Sequence, residues 1–438
     1  MKQSNFKETE IGKVPEEWDL SSIDEIGEVV GGGTPSTKVQ EFWDGDIAWL
    51  TPKDLSNCNF RYVSRGERNI SRKGLEKSSA KILPPNSVLL TTRAPVGYVA
   101  IARNDISTNQ GFRSVIPKKG VSSEYLYYLL KNNTHYLKSH ASGTTFGELA
   151  GSTLRSLKFA FPNFDEQKSI AKILSDLDSK IELNNEMNKT LEAIGQALFK
   201  HWFIDFEFPN NDGKPYKSSG GEMVDAELGE IPKGWSVKKL GDYVDVVKGC
   251  SYRSDDLQES DKALVALKSI ERGGGFKVDG LKQYIGKYKD EQIISPGEIV
   301  VSHTDITQKA EVLGKSAIVR KVPKFSTLIA SLDLCIVRPV INMLNRSFVY
   351  FLLKTDNFQN HAFGYANGTT VLHLNKKAIP EYVFVLPPKD LIHKFGVIVN
   401  NIMEKIQENE LNSETLTFMR DSLLPRLMSG RIRVKVAE

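Results

Sequence analysis

The sequence predicts an α+β protein in which two mixed modules in a pseudo-two-fold arrangement are separated by two long antiparallel coiled-coil helices. Three observations predict it: a gap-free internal repeat opening each half, strand-and-turn patterning within each half, and an apolar stripe at helical spacing that recurs after each. The 438 residues, 40% hydrophobic and 26% charged, suit two or three ordered domains. Cys58, Cys250 and Cys335 show no paired spacing, so neither a disulfide framework nor a zinc site is expected and a cytoplasmic setting fits. The polar start MKQSNFKETEIG and the lack of any run near the ~18 apolar residues of a membrane span predict no secretory signal and no membrane partner.

The first repeated element is EIGKVPEEWDLSSIDEIGEVVGGG at 10–33, matched by ELGEIPKGWSVKKLGDYVDVVKGC at 227–250. It pairs Gly12 with Gly229, Pro15 with Pro232, Trp18 with Trp235 and Gly32 with Gly249. GTTFGELAGSTLRSLKFAFP at 143–162 then matches GTTVLHLNKKAIPEYVFVLP at 368–387. Between these anchors the copies diverge, so a frame is repeated while its filling differs.

Within the filling, DIAWLTP, NSVLLTTRAPVGYVAIA, GEIVVSHTD and KSAIVRK read as strands broken by turn residues, and SSEYLYYLLK at 122–131 and RSFVYFLLKT at 346–355 as short helices in matching places. The long helices follow. Ile173 aligns with Ile398, Leu177 with Ile402, Ile181 with Ile406, Asn184 with Asn409, Ile194 with Met419 and Leu198 with Leu423. Spacings of three and four follow a coiled-coil seam, and asparagine at an inward position pins register, so Asn184 and Asn409 are expected to face each other unless they mark a solvated stretch. From Asp165 to Phe203 the first helix would hold 39 residues, roughly 58 Å. Polar NNDGKPYKSSGGE at 210–222 reads as a linker. The expected boundaries are 1–163 for the first module, 164–208 for the central helix, 209–226 for the linker, 227–388 for the second module and 389–438 for the distal helix and tail.

Residues 21–162 hold 18 Lys and Arg against 12 Asp and Glu, and 237–387 hold 21 against 16, whereas the remainder is acidic. Two basic blocks joined by acidic connectors suit two polyanion-binding modules. Candidate contacts to bases and phosphates in the first block are Gly32, Thr34, Ser36, Trp49, Thr51, Lys53, Thr92, Arg93, Asn109, Gln110, Arg113, Thr144 and Thr145. In the second they are Tyr252, Arg253, Lys268, Ser302, His303, Thr304, Thr369 and Thr370. Arginine and amides suit bidentate reading of base edges; lysine, hydroxyl and backbone groups suit phosphate.

Catalytic signatures are missing. Gly314-Lys315-Ser316 resembles the end of a phosphate-binding loop, but Lys309 stands where its first glycine belongs, and the seven histidines form no H-E-x-x-H pair. No serine or cysteine sits in a G-x-S-x-G elbow. No metal or cofactor is expected on this chain.

The I/L-G-x-V/I-P-x-x-W entry, GGGTPS with GDIAWLTPKDL at 45–55, TTRAPVGYVAI at 91–101, FDEQKSIAKILSDLDSKIELN at 164–184 and TLTFMRDSLLPRLMSGRIRV at 415–434 together resemble the specificity (S) subunit of type I restriction-modification systems, over essentially the whole chain. The resemblance implies a non-catalytic DNA-binding subunit whose two target-recognition domains each read half of an asymmetric bipartite site, with the helices setting the spacer. It implies two modification subunits carrying S-adenosylmethionine and adenine-N6 methylation, and restriction subunits using ATP with Mg2+. Leu177, Ile181, Leu198, Trp202, Phe203, Ile402, Ile406 and Leu423 are the candidate docking residues for those partners. KGCSYRS at 248–254 and SHTDITQKAEVLG at 302–314 depart from the pattern, so loop roles carry over more securely in the first module. The competing function is a non-enzymatic coiled-coil adaptor with two ligand-binding α+β modules; a self-contained methylase or nuclease is disfavoured by the missing motifs.

Overall fold

Gly12 and Gly229 both hold positive φ, 101° and 96°, and each turns a hairpin in which the structural repeat begins. Phe6–Thr9 pairs antiparallel with Gly12–Pro15, and Met223–Ala226 pairs with Gly229–Pro232 in the same register. The structure is a computed structural model and describes residues 5–56, 60–143, 147–307, 310–340, 344–368 and 371–434. It contains two units, Met1–Glu186 with Glu410–Glu438, and Met187–Asn409, so each unit takes one part of each long helix.

In the first unit a five-stranded sheet runs in the order Gly27–Gly31, Arg113–Pro117, Val88–Thr92, Val96–Ala102, Tyr62–Val63. A smaller sheet pairs Ser107–Thr108 in parallel with Trp43–Leu50, which is antiparallel to Arg68–Ile70. The second unit repeats this plan. Val244–Lys248, Leu334–Pro339, Ile299–Ser302 and Ser316–Ile318 form the larger sheet, and Lys262–Val265 is parallel to Thr327–Ala330 in the smaller. Asp19–Ser22 closes against Lys158–Phe161, and Ser236–Lys239 against Val383–Leu386. Helices Ser123–Asn132 and Arg346–Leu353 pack their apolar sides into the respective cores.

The repeated glycines Gly32 and Gly249 have a common cause. A Cβ on Gly32 would lie 2.1 Å from the Asn109 carbonyl oxygen, and one on Gly249 2.0 Å from that of Ser331. At these crossings Gly33 N–H donates to Thr108 (2.8 Å) and Cys250 N–H to Ala330 (2.8 Å), so the two chains pass in backbone contact that no side chain can separate.

The long helices are Phe164–Phe199, 36 residues, and Lys389–Met428, 40 residues, with Pro425 inside the latter. The first is capped by Asn163, whose Oδ1 accepts from Glu166 N–H (3.0 Å), so the helix begins at Phe164, one residue before the expected Asp165. Partners run backwards along the second helix as the first advances, which is antiparallel packing within each unit. In the first unit Asp178 meets Arg420 and Asn184 meets Asn412 and Ser413; in the second Asn409 donates to Asn188 (2.8 Å) and Phe203 packs on Phe395. The Nδ2 groups of both buried asparagines thus donate to side chains of the opposite helix.

A π turn, Lys200–Ile204, ends the first helix. Its wider winding turns Phe199, Trp202 and Phe203 into the core of the second unit, where Phe203 touches Phe348 and Phe395 at 5.0 and 5.1 Å. The linker is folded as well: Tyr216 stacks on Phe208 at 4.5 Å, and Phe208 stacks on Trp235.

Candidate nucleic-acid interface

Both units present the same edge of the larger sheet with different chemistry. In the first, the strand ending at Thr92 continues to a bridge between Arg93 and Glu148, and Leu149 N–H donates to Thr92 (2.9 Å). In the second, Thr304 pairs with His373, and Leu374 N–H donates to His303 (2.8 Å). These are the same hydrogen bonds of the same frame, displaced by the repeat.

On the first edge Thr34 Oγ1 donates to Gln110 Oε1, and both residues are exposed. Arg113 lies across Gly31 and Gly151 and donates to the carbonyls of Gln110 (3.3 Å) and Phe112 (2.9 Å). Arg93 and Arg113 each reach Glu148 only at 3.9 Å, with side-chain exposures of 51% and 26%. Ion pairs this long contribute little, so neither contact with Glu148 fixes its guanidinium group strongly. The structure therefore brings together Thr34, Gln110, Arg93 and Arg113, with Gly32 beneath them and Asn109 fixed by accepting from Gly111 N–H (2.9 Å). Ser36 is exposed, Thr51 bonds Asp54 (2.6 Å), and Lys53 is exposed and paired with Glu67 (2.9 Å).

The second edge carries Lys248, His303, Asn375 and Lys376 around one cleft. Burial, with Lys248 and His373 nearby, holds the His303 pKa below the usual imidazole value against the opposing charge of Asp333. Tyr252 is half-buried and accepts from Lys282 Nζ (3.0 Å), whose ammonium also sits 5.0 Å from the ring. Arg253 and Lys268 are exposed.

Several residues expected on the surface lie inside. Trp49 is 6% exposed, packs edge-on against Trp43 and donates to the Gly33 carbonyl (3.0 Å), so it braces the glycine loop from below. Thr92 is fully buried at the end of a central strand. The Ser302 hydroxyl is buried between Val312 O and Lys315 N–H, and Thr304 is spent on Asp333 (2.9 Å). Trp202 and Phe203 are core residues rather than a docking surface, and Ile406 is buried. Leu177, Ile181, Leu198, Ile402 and Leu423 are partly buried. Thr144, Thr145, Thr369 and Thr370 lie outside the described residues.

Sequence reasoning missed Arg68, held 3.7 Å over the face of Trp43, and the pairs Lys282 with Tyr252 and Lys262 with Tyr288. Each cation meets its ring from a distant stretch of chain, and no local spacing signals it. Among the described residues no His, Cys, Asp and Glu cluster suits a metal ion, and no helix is long and apolar enough to cross a membrane.

Comparison with known proteins agrees with this organisation. Residues 15–193 and 232–419 each match the family model described as the type I restriction modification DNA specificity domain. The MjaIX type I restriction enzyme specificity subunit of Methanocaldococcus jannaschii is 41% identical over 99% of this chain and 98% of its own length. The MjaVIII specificity subunit of the same organism is 23% identical over 99% and 97%. The crystal structure of the type I restriction-modification S subunit from M. genitalium superposes with a TM-score of 0.54 at 17% identity, over 94% of this chain and 96% of that one, a likeness of fold. Two matches to one DNA-specificity model on two copies of one frame, with a full-length relative at 41% identity, place this chain in the family of type I restriction-modification specificity subunits.

Proposed function

We propose that this chain is the non-catalytic reader of its complex, each module recognising one half of an asymmetric bipartite DNA target and the helical pair setting the unspecified spacer. The observation that carries the reading is the shared sheet edge, which offers Thr34, Gln110, Arg93 and Arg113 in one copy and Lys248, His303 and Lys376 in the other. Identical scaffolding with unlike polar groups suits two different sequences read in the same pose.

Two modification subunits dock on the repeated helices. Positions equivalent in the repeat stay apolar although exposed: Ile173 (38%) with Ile398 (41%), and Ile194 (48%) with Met419 (45%). A core does not demand these side chains, and their duplication suits two copies of one partner. Those partners supply S-adenosylmethionine and transfer its methyl group to adenine N6; a methyltransferase that must extrude its target base gains from leaving recognition to another subunit. Restriction subunits, where present, bring ATP and Mg2+.

The test is co-expression with the cognate modification subunit in a host lacking other adenine methylation, followed by sequencing of modified bases. Methylation at one gapped motif is expected, and exchange of residues 21–160 for those of another specificity subunit should alter one half of it. Methylation without a motif, or a swap that alters both halves, would overturn the reading.

A further inference from the structure

The most exposed large apolar side chain outside the long helices, among the described residues, is Ile306, at 70%. It covers no core. It follows Asp305, whose fully buried carboxylate accepts from the N–H groups of Thr307 (2.6 Å), Val312 (2.6 Å) and Leu313 (2.9 Å). Thr307 Oγ1 in turn accepts from Glu311 N–H (3.0 Å). The backbone on both sides of Ile306 is therefore tied down, and its side chain is held out into solvent by a braced loop.

The position of that loop gives the protrusion its meaning. Thr304 pairs with His373 and Asp305 with Leu372, where the ladder ends; Ile306 and Val371, itself 36% exposed, are the residues next to that last pair on the two strands. The ladder thus ends in an apolar tip, while the cleft containing Lys248, His303 and Lys376 lies at its base. In the first unit the same register step past Arg93 is the exposed pair Ala94 and Pro95, again apolar beside a cation. A rigid apolar tip flanked by positive charge suits a partner with a phosphate rim and an apolar, stackable interior, which is a DNA base step.

We propose that Ile306 is a wedge that enters between two base pairs in the half of the target read by the second module, unstacking that step and helping to fix the register. This rests on the DNA-reading function proposed above. Unstacking costs free energy that depends on the step being opened, so the wedge adds sequence preference at a position where no hydrogen bond is made.

Full-length chains carrying Ile306, Ile306→Met or Ile306→Ser are each incubated with duplexes randomised over a central stretch. The bound fraction is treated with permanganate and diethyl pyrocarbonate, which modify unstacked thymines and purines, and sequenced. The native chain and Ile306→Met should select one gapped motif with a modified step at a fixed place in one half. Ile306→Ser should melt at the native temperature, select the same motif about tenfold more weakly, and lose the modified step. A native complex with no modified step in that half, or Ile306→Ser binding within about twofold of native with the step still modified, overturns the wedge while leaving DNA reading intact. A native chain that selects no motif refutes the DNA-reading function itself, and the wedge with it.

Discussion

Arg420→Met tests the packing of the first unit at its most buried ion pair. Asp178, with a side chain 6% exposed, accepts from Arg420 Nη1 at 2.6 Å and from the Tyr128 hydroxyl at 2.6 Å; Arg420 is itself only 15% exposed. The pair joins the two helices, and Tyr128 ties the same carboxylate to the recognition module. Removing one partner of a buried pair typically costs about 3–5 kcal/mol because the other charge stays desolvated. Tyr128 still donates in the variant, so the lower end applies, about 3 kcal/mol. Asp178→Leu costs less, about 1.5 kcal/mol, because Arg420 keeps Asp421, 2.8 Å away and 58% exposed. The double variant restores an apolar contact and should cost under about 1.5 kcal/mol, a coupling of about 3 kcal/mol. Hydrogen exchange read on peptides covering 170–186 and 412–428 measures this locally, without requiring the two units to unfold together, and Arg420→Met should accelerate exchange there more than about a hundredfold. Acceleration below about fivefold, or a double variant as unstable as the two single variants combined, would refute the assignment of this pair as the lock.

Gly32→Ala and Gly249→Ala should each lose about 2–3 kcal/mol in thermal unfolding, since a methyl would sit about 2 Å from a carbonyl oxygen in both. Gly213→Ala, at φ +75° with open space around it, should lose only about 1 kcal/mol. The lowered pKa of His303 means that below about pH 6.5 the unfolded chain binds a proton the native one refuses. Its contribution is therefore complete above that pH and lost as pH falls towards the folded value; His303→Gln should flatten the acid limb of the second unit's stability below about pH 6.5. Replacing both Arg93 and Arg113 with alanine should weaken binding to a mixed-sequence duplex severalfold and reduce the logarithmic salt slope by about 2, by fluorescence anisotropy; an unchanged slope would remove both from the interface.

The duplicated frame was legible because glycine, proline and tryptophan were pinned by geometry that both copies share. Gly12 and Gly229 occupy hairpin turns at positive φ, where other side chains are strained, and Gly32 and Gly249 mark backbone crossings where a Cβ has no room. What failed were statements about which way a side chain faces. Val88–Thr92 is buried along its whole length, so alternation does not place Thr92, and Trp49 belongs to a small second sheet whose packing on Trp43 is non-local. Trp202 and Phe203 lie in the π turn, whose winding departs from the 3.6-residue phase of the helix, and both are buried in the second unit's core.

The family motifs on the two long helices hold the first unit together, while the residues proposed to read DNA differ between the two copies. In FDEQKSIAKILSDLDSKIELN, Glu166 accepts from Trp18 (3.2 Å) and Arg433 (2.9 Å), Gln167 binds Ser122 N–H (3.0 Å), and Asp178 locks Arg420. In TLTFMRDSLLPRLMSGRIRV, Gly430 closes on Pro15, and Arg433 reaches Glu17 as well. Arg93, Arg113 and Gln110 stand where the second copy has Thr304, Cys335 and other residues, on strands whose backbone hydrogen bonds do not depend on them. Such an edge can change its side chains without unfolding, because the frame's stability is fixed elsewhere, at the helix ends and the glycine crossings. It follows that a graft confined to exposed positions of the first unit, Arg93→Thr with Gln110→His, should leave its melting temperature within a few degrees while changing what it binds. A graft that unfolded the unit would show that frame and reader are not separable.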